Sequence, residues 1–359
     1  MRVLVTGHDG YIGQVMVPVL LEAGHEVVGL DTFFYGDRLF DAPRATVPSI
    51  HRDMRDVTPA DLDGFDAVIC LGALSNDALG DLDPQLTQAI NHRACVRLAE
   101  SAKAAGVERY VFSSSCSLYG ASDDEALTED SGFNPLTAYG ETKILVERDV
   151  APLADRDFCP VFMRNATAYG VSPSLRADLM VNNLVGHAVT TGRVLIMSDG
   201  TPWRPLVHIE DISLAFAAVL DAPADVIRGE AFNVGVPDEN YRVREVAEMV
   251  QETVPGSRVE YSPGAAPDAR NYRVNFDKIA RSLPAFRPRW TVRAGVEELY
   301  EAYLAHGLTQ EEFLSSRYLR IKSILEHRDA GRLDKDLRWT ATAAHAIDAP
   351  DRMESGVGR

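Results

Sequence analysis

Ser115, Tyr139 and Lys143 are the residues whose types and spacing carry the most chemistry in this chain. Tyr139 and Lys143 are four apart, so a helix there sets the phenol and the ammonium on one face. An unperturbed tyrosine, with a pKa of about 10, is too weak an acid to serve as a base near neutrality. A cation one helical turn away favours its phenolate. The pair therefore reads as an acid/base that takes a proton from a carbinol and returns it.

A second constellation lies at the start of the chain. Gly7, Gly10 and Gly13 follow the apolar run Arg2–Thr6 and precede a helical pattern at Tyr11–Ala23. Glycines between a strand and a helix let the backbone approach a pyrophosphate, and the helix N-terminus offers free N–H groups to the phosphates. Asp31 closes the next strand, Glu26–Leu30. A carboxylate there accepts from both hydroxyls of an adenosine ribose and repels a 2′-phosphate, which favours NAD over NADP. Asp53 and Met54 follow a further strand and are expected to frame the adenine.

These groups must be held by strands and helices in alternation. Strands are expected at Arg2–Thr6, Glu26–Leu30, Asp66–Leu71, Arg109–Ser115 and Cys159–Arg164, with helices at Pro84–Ala105 and Thr137–Val150. Such alternation predicts an α/β fold, a doubly wound parallel sheet covered on both faces. Gly7, Asp31, Gly72 and Ser115 all fall at carboxyl ends of strands, where ligands bind in such sheets. Beyond about residue 170 the rhythm breaks into longer loops. Residues 1–170, with 205–235 rejoining them, are read as a dinucleotide-binding domain. Residues 171–204 and 236–335 are read as a smaller substrate-binding α/β lobe with helices at Val243–Val254 and Val292–His306, and 341–359 as a disordered tail.

Composition narrows the partners. The chain has 359 residues, 46% hydrophobic and 25% charged, with a formal net charge of −17. That charge argues against nucleic acid or an anionic membrane surface. No apolar run reaches the length of a membrane span, and MRVLVTG lacks a secretory h-region. Cys70, Cys95, Cys116 and Cys159 show no metal-ligand spacing and read as reduced thiols of a cytoplasmic protein. His208, Glu210 and Asp211 mark a strand end and a helix start, so no metal site is expected.

Taken together, Thr6-Gly7-x-x-Gly10-Tyr11-Ile12-Gly13, Ser113-Ser114-Ser115-x-x-Leu118-Tyr119-Gly120 and Tyr139-x-x-x-Lys143 resemble the extended short-chain dehydrogenase/reductases, and within them the NAD-dependent nucleotide-sugar epimerases and dehydratases. The likeness spans about residues 1–305. It implies a Rossmann-type fold, with Tyr11, Ile12 and Leu71-Gly72-Ala73 against the cofactor and Asn91 at the head of the following helix. It implies that Ser115 bonds the reacting hydroxyl, Tyr139 exchanges its proton, and Lys143 holds the nicotinamide ribose. Ser75, Asn76, Ser117, Asn165 and Thr167 are the expected sugar-side contacts. Asn183 and Leu184, within Asn-Asn-Leu, and Arg204 and Arg270 are the expected contacts to a sugar-nucleotide diphosphate, arginine being suited to phosphate by its planar fork.

The resemblance implies epimerisation of a nucleotide-diphosphate sugar, inverting C4 through a transient 4-keto sugar with NAD regenerated, in a homodimer built on the helices at 84–105 and 137–150. A nucleotide-sugar ketoreductase, a 4,6-dehydratase and a decarboxylase share the fold and stay open; a non-catalytic dinucleotide sensor does not suit the intact Ser/Tyr/Lys set. The dehydratases carry Asp-Glu after the catalytic Ser/Thr, whereas this chain has Cys116-Ser117, which disfavours that route. Arg164-Asn165-Ala166-Thr167 and Ser75-Asn76-Asp77 also depart from the epimerase pattern and leave the sugar unspecified.

Overall fold

A computed structural model describes residues 1–40, 44–75, 83–122, 126–266, 268–341 and 343. Its centre is a seven-stranded sheet in the order β3-β2-β1-β4-β5-β6-β10. The strands are β1 (Arg2–Thr6), β2 (Glu26–Asp31), β3 (Ser49–His51), β4 (Ala67–Cys70), β5 (Arg109–Ser115), β6 (Cys159–Asn165) and β10 (Ala231–Val234). Every pairing is parallel, with Val3 between Val27 and Ala67. Runs such as Val3-Leu4-Val5 and Ala67-Val68-Ile69 are apolar at consecutive positions because both faces of the sheet are buried.

Helix α1 (Gly13–Glu22) and helix α5 (Ile209–Asp221) cover one face, packing with Val3, Val5, Ile69 and Val161. The other face is covered by α2 and α3. Helix α2 is built of three successive segments, Pro84–Thr87, a π-helical stretch Gln88–Arg93, and Ala94–Ala104; helix α3 is Ala138–Val150. Thr137 caps α3 by accepting from the Gly140 N–H at 3.2 Å.

A second core forms around α4 (Met180–Thr191), α6 (Val243–Thr253) and α7 (Val292–His306). It is flanked by a three-stranded sheet, β11-β9-β7 (Asn240–Arg242, Trp203–His208, Thr167–Tyr169), and by the parallel pair β12 and β8 (Arg258–Ala266, Arg193–Ser198). Helix α8 (Arg320–Asp329) and the turns after it form a small apolar cluster of their own with Phe34, Tyr35, Leu74 and Ile90. The reason is apolar matching, since Ile321, Ile324, Leu333, Leu337 and Trp339 meet those side chains. No helix among the described residues is long and apolar enough to cross a membrane.

Candidate active site

The strand order reverses between β1 and β4, and the crevice at such a point is where a parallel sheet takes its ligand. Gly7 follows β1 and Gly72 follows β4. Gly7 has φ +74°, and a Cβ on it would lie 2.9 Å from the Gly72 amide nitrogen. A Cβ on Gly13 would lie 2.5 Å from the carbonyl oxygens of Gly7 and His8. Only glycine permits this turn, for the reasons its spacing implied.

A cavity opens over the turn, lined by Thr6, Gly7, Gly10, Tyr11, Ile12 and Gly13. Asp31, Asp53, Met54, Leu71, Gly72, Ala73 and Ser75 complete the wall. Every residue expected around the dinucleotide, apart from Tyr139 and Lys143, therefore shares one cavity. The Asp31 carboxylate accepts from the Asp9 N–H at 3.0 Å and the Phe33 N–H at 2.9 Å. A carboxylate has about four acceptor sites, which leaves room for hydroxyl donors. Tyr11 lines the cavity, but its hydroxyl is committed to the Gly170 carbonyl at 2.7 Å. Asp53 caps the turn Met54–Asp56 and pairs with Arg55 at 2.6 Å.

Asn91 lies inside α2 rather than at its head, in the π-helical stretch. It is fully buried; its Oδ1 accepts from the Leu74 N–H at 2.8 Å and its Nδ2 donates to the Leu74 carbonyl at 2.9 Å. The extra residue of a π-turn re-aims a side chain, and here Asn91 fixes the strand-end loop that forms one cavity wall.

The charged cavity residues missed from the sequence are Asp9, Arg52, Arg176 and Arg320. Arg176 donates to Ser75 Oγ at 3.1 Å and pairs with Asp178 at 2.8 Å. Arg320, first residue of α8, lies over the Tyr35 ring at 3.8 Å and donates to Ser174 Oγ at 2.6 Å. Its Nη1 is buried with no hydrogen-bond partner among the described residues. Burial pushes its guanidinium down, to about 10. A cation amid apolar neighbours, Tyr318-Leu319-Arg320-Ile321, was the one signal available. Burial, and then the nearby Asp31, push the Asp9 carboxyl up to about 7, although Arg44 donates to it at 2.8 Å.

Ser115 ends β5, and its Oγ accepts from the Ser117 N–H at 3.1 Å. Lys143 is buried on α3; its Nζ donates to the Ser113 carbonyl at 2.6 Å and lies 5.3 Å from the centroid of the Tyr139 ring. Tyr139 is half-buried on α3. Cys116 turns away: its Sγ donates to the Arg164 carbonyl at 3.1 Å, and burial pushes the thiol well up.

The expected sugar-side residues divide. Asn165 Nδ2 donates to Ser113 Oγ at 3.0 Å, while Asn165 Oδ1 and Ser117 Oγ are buried without partners among the described residues. Thr167 is half-buried on β7. Asn183 donates to the Ala177 carbonyl at 2.9 Å. Leu184 is 3% exposed and packs in the second core on the inner face of α4. Arg204 and Arg270 converge, but on Asp268, at 2.8 and 2.7 Å. Asn76 lies outside the described residues, as does most of 341–359.

A profile described as the NAD-dependent epimerase/dehydratase family matches residues 3–235. The chain belongs to this family. The UDP-glucose 4-epimerase of Corynebacterium glutamicum is 30% identical over 86% of this chain and 97% of that protein. The enzyme of the same name from Mycolicibacterium smegmatis is 29% identical over 84% and 98%. Among solved structures, MoeE5 in complex with UDP-glucuronic acid and NAD superposes with a TM-score of 0.73, at 29% identity over 86% of this chain and 100% of that one. The dTDP-glucose 4,6-dehydratase DesIV from Streptomyces venezuelae, with NAD bound, gives 0.74 at 25% identity over 87% and 100%. The family's NAD dependence agrees with the glycine turn, with the open acceptor sites of Asp31 and with the orphaned guanidinium nitrogen of Arg320: these residues fit a dinucleotide.

Proposed function

We propose that this chain is an NAD-dependent epimerase of nucleotide-diphosphate sugars, inverting C4 of the sugar. The observation that carries this reading is the Lys143 ammonium, fixed on the Ser113 carbonyl and 5.3 Å from the Tyr139 ring centroid beside the dinucleotide cavity. NAD, when bound, supplies a reversible acceptor for the hydride of the carbinol carbon. Gly7, Gly10, Gly13, Ile12, Leu71 and Ala73 would hold it, with Asp31 on the adenosine ribose and Asp53 and Met54 at the adenine.

Ser115 orients the C4 hydroxyl, Tyr139 takes its proton and later returns it, and Lys143 supports the phenolate and the nicotinamide ribose. Both carbinol and ketone must be held in one site while the sugar turns, so the reading needs a pocket that retains the nucleotide. Arg204 and Arg270 supply that grip if Asp268 gives up its ion pairs to a diphosphate. The relatives named above make uridine diphosphate the first base to test. Cys116 and Ser117 offer no acid/base pair for a 4,6-dehydration: a thiol buried and bonded to a main-chain carbonyl cannot protonate a leaving hydroxyl. We also infer a cytoplasmic homodimer paired through the outer faces of α2 and α3.

The test incubates the purified chain with a panel of nucleotide sugars in deuterated water and reads products by NMR. Inversion at C4 without deuterium uptake is expected. Deuterium at C5 with loss of water would replace the epimerase with a dehydratase, and turnover only with added reduced cofactor would make it a ketoreductase. Light scattering that finds only monomer at micromolar concentration would remove the dimer.

A further inference from the structure

We propose that Arg320 binds the diphosphate of the dinucleotide, making residues 320–340 a clasp that retains the cofactor. This rests on the NAD reading above but adds a residue and a segment to it. Three arginines line the cavity: Arg52, Arg176 and Arg320. Arg52 is paired with Asp61 and Arg176 with Asp178. Arg320 has no carboxylate at ion-pair distance among the described residues, though its side chain is one of the most deeply buried charges of the molecule, 3% exposed. A buried cation needs a counter-charge.

The arginine is already shaped for one. Ser174 holds Nη2 through its carbonyl at 2.9 Å and its Oγ at 2.6 Å, and the Tyr35 ring backs the guanidinium plane. Nη1 is left buried and unpartnered, and Arg320 lines the cavity together with Gly7, Gly10 and Tyr11. The anion that a glycine turn admits is a pyrophosphate, and a guanidinium fork matches its oxygens.

The segment that carries Arg320 spans both banks of the cavity. On one side Trp339 Nε1 donates to the Thr32 carbonyl at 2.6 Å and His327 Nε2 contacts the Phe34 carbonyl at 2.9 Å. Beside the adenine position Arg55 donates to the Asp336 carbonyl at 2.8 Å, and Arg338 pairs with Asp56. On the other side Ile324, Leu333 and Leu337 pack with Leu74 and Leu86. Release of the ligand past this bridge requires the bridge to open.

The test uses the full chain stripped of nucleotide and measures ADP-ribose and adenosine binding by calorimetry. Arg320→Gln is expected to raise the Kd for ADP-ribose at least tenfold and to leave adenosine within twofold. Equal losses for both ligands, or unchanged ADP-ribose binding, overturn the assignment. Should Arg320→Gln fail to fold, Arg320→Lys keeps the charge but not the fork, and is expected to weaken ADP-ribose about threefold with adenosine unchanged; no loss overturns the assignment. A wild-type chain that binds neither NAD nor ADP-ribose would instead sink the cofactor reading itself. Trp339→Ala is expected to speed release of radiolabelled NAD at least threefold, and release at the wild-type rate overturns the clasp.

Discussion

Glu147 and Arg164 form an ion pair at 2.7 Å with side chains 8% and 6% exposed, joining helix α3 to strand β6. Glu147 also accepts from Ser114 Oγ at 2.6 Å, and Arg164 donates to the Tyr119 hydroxyl at 3.0 Å. Glu147 stands one helical turn beyond Lys143, so the pair sets the height and rotation of the helix that carries Tyr139 and Lys143. Removing one member of a buried pair leaves the other charge uncompensated, at about 3–5 kcal/mol. Glu147→Leu and Arg164→Met should each lose on that order in urea unfolding. The double variant should lose less than the sum, because the two share one network.

Tyr139→Phe should lower turnover by about 10²–10⁴-fold, the usual worth of a positioned acid/base. Among the described residues the hydroxyl has no hydrogen-bond partner to strand, so urea unfolding and bound NAD should match wild type. Lys143→Met should lower turnover as well and also loosen β5, since the Ser113 carbonyl loses its 2.6 Å donor. Steady-state kinetics beside nucleotide content separates the two. Full turnover by Tyr139→Phe would remove the proton-transfer role.

Asp9 should make cofactor affinity fall as pH rises. Its carboxyl is pushed up to about 7, by burial first and by Asp31 second, with Arg44 opposing. Below that pH it is neutral; above it, a negative charge sits in the turn meant for a diphosphate. Affinity for NAD should therefore drop between about pH 6 and 8, and Asp9→Asn should flatten the profile. The same shift acts on stability without ligand. The folded chain holds the proton where the unfolded chain, near 3.8, has lost it, so this group's contribution falls as pH rises from about 4 to 7. Calorimetric titrations across pH check the first, and thermal melts of stripped protein the second.

Asn91→Leu should disturb the cavity without touching a ligand. It strands the Leu74 N–H and carbonyl in a buried site, at about 1–3 kcal/mol for each unsatisfied group. The loop Leu71–Ser75 should loosen, and NAD should bind several-fold more weakly while the far lobe keeps its stability. Hydrogen exchange across residues 71–75 measures this directly.

The alternation of apolar runs with helical patterns was enough to foretell the sheet, because a parallel strand buried on both faces carries its own signature, as in Val3-Leu4-Val5 and Ala67-Val68-Ile69. The glycine turn was equally legible, since the backbone geometry of Gly7 and Gly13 admits no other residue. Contacts made across long stretches of chain were not. Arg320 meets Tyr35, and Arg176 meets Ser75, through packing that no local pattern encodes. The burial of Leu184 was likewise not local knowledge: in a helix with one buried face, hydrophobicity decides direction, and that leucine faces the core. Arg204 and Arg270 meet on one carboxylate, Asp268, a shared partner that spacing could not reveal.

The cavity begun by Gly7 is also lined by Arg320, from the far end of the polypeptide, and Trp339 ties the same segment to the Thr32 carbonyl. During translation the nucleotide-binding turn therefore emerges long before its last wall. If the proposed clasp holds, early capture of nucleotide by the nascent polypeptide is reversible, and lasting capture waits until residue 339 has cleared the ribosome.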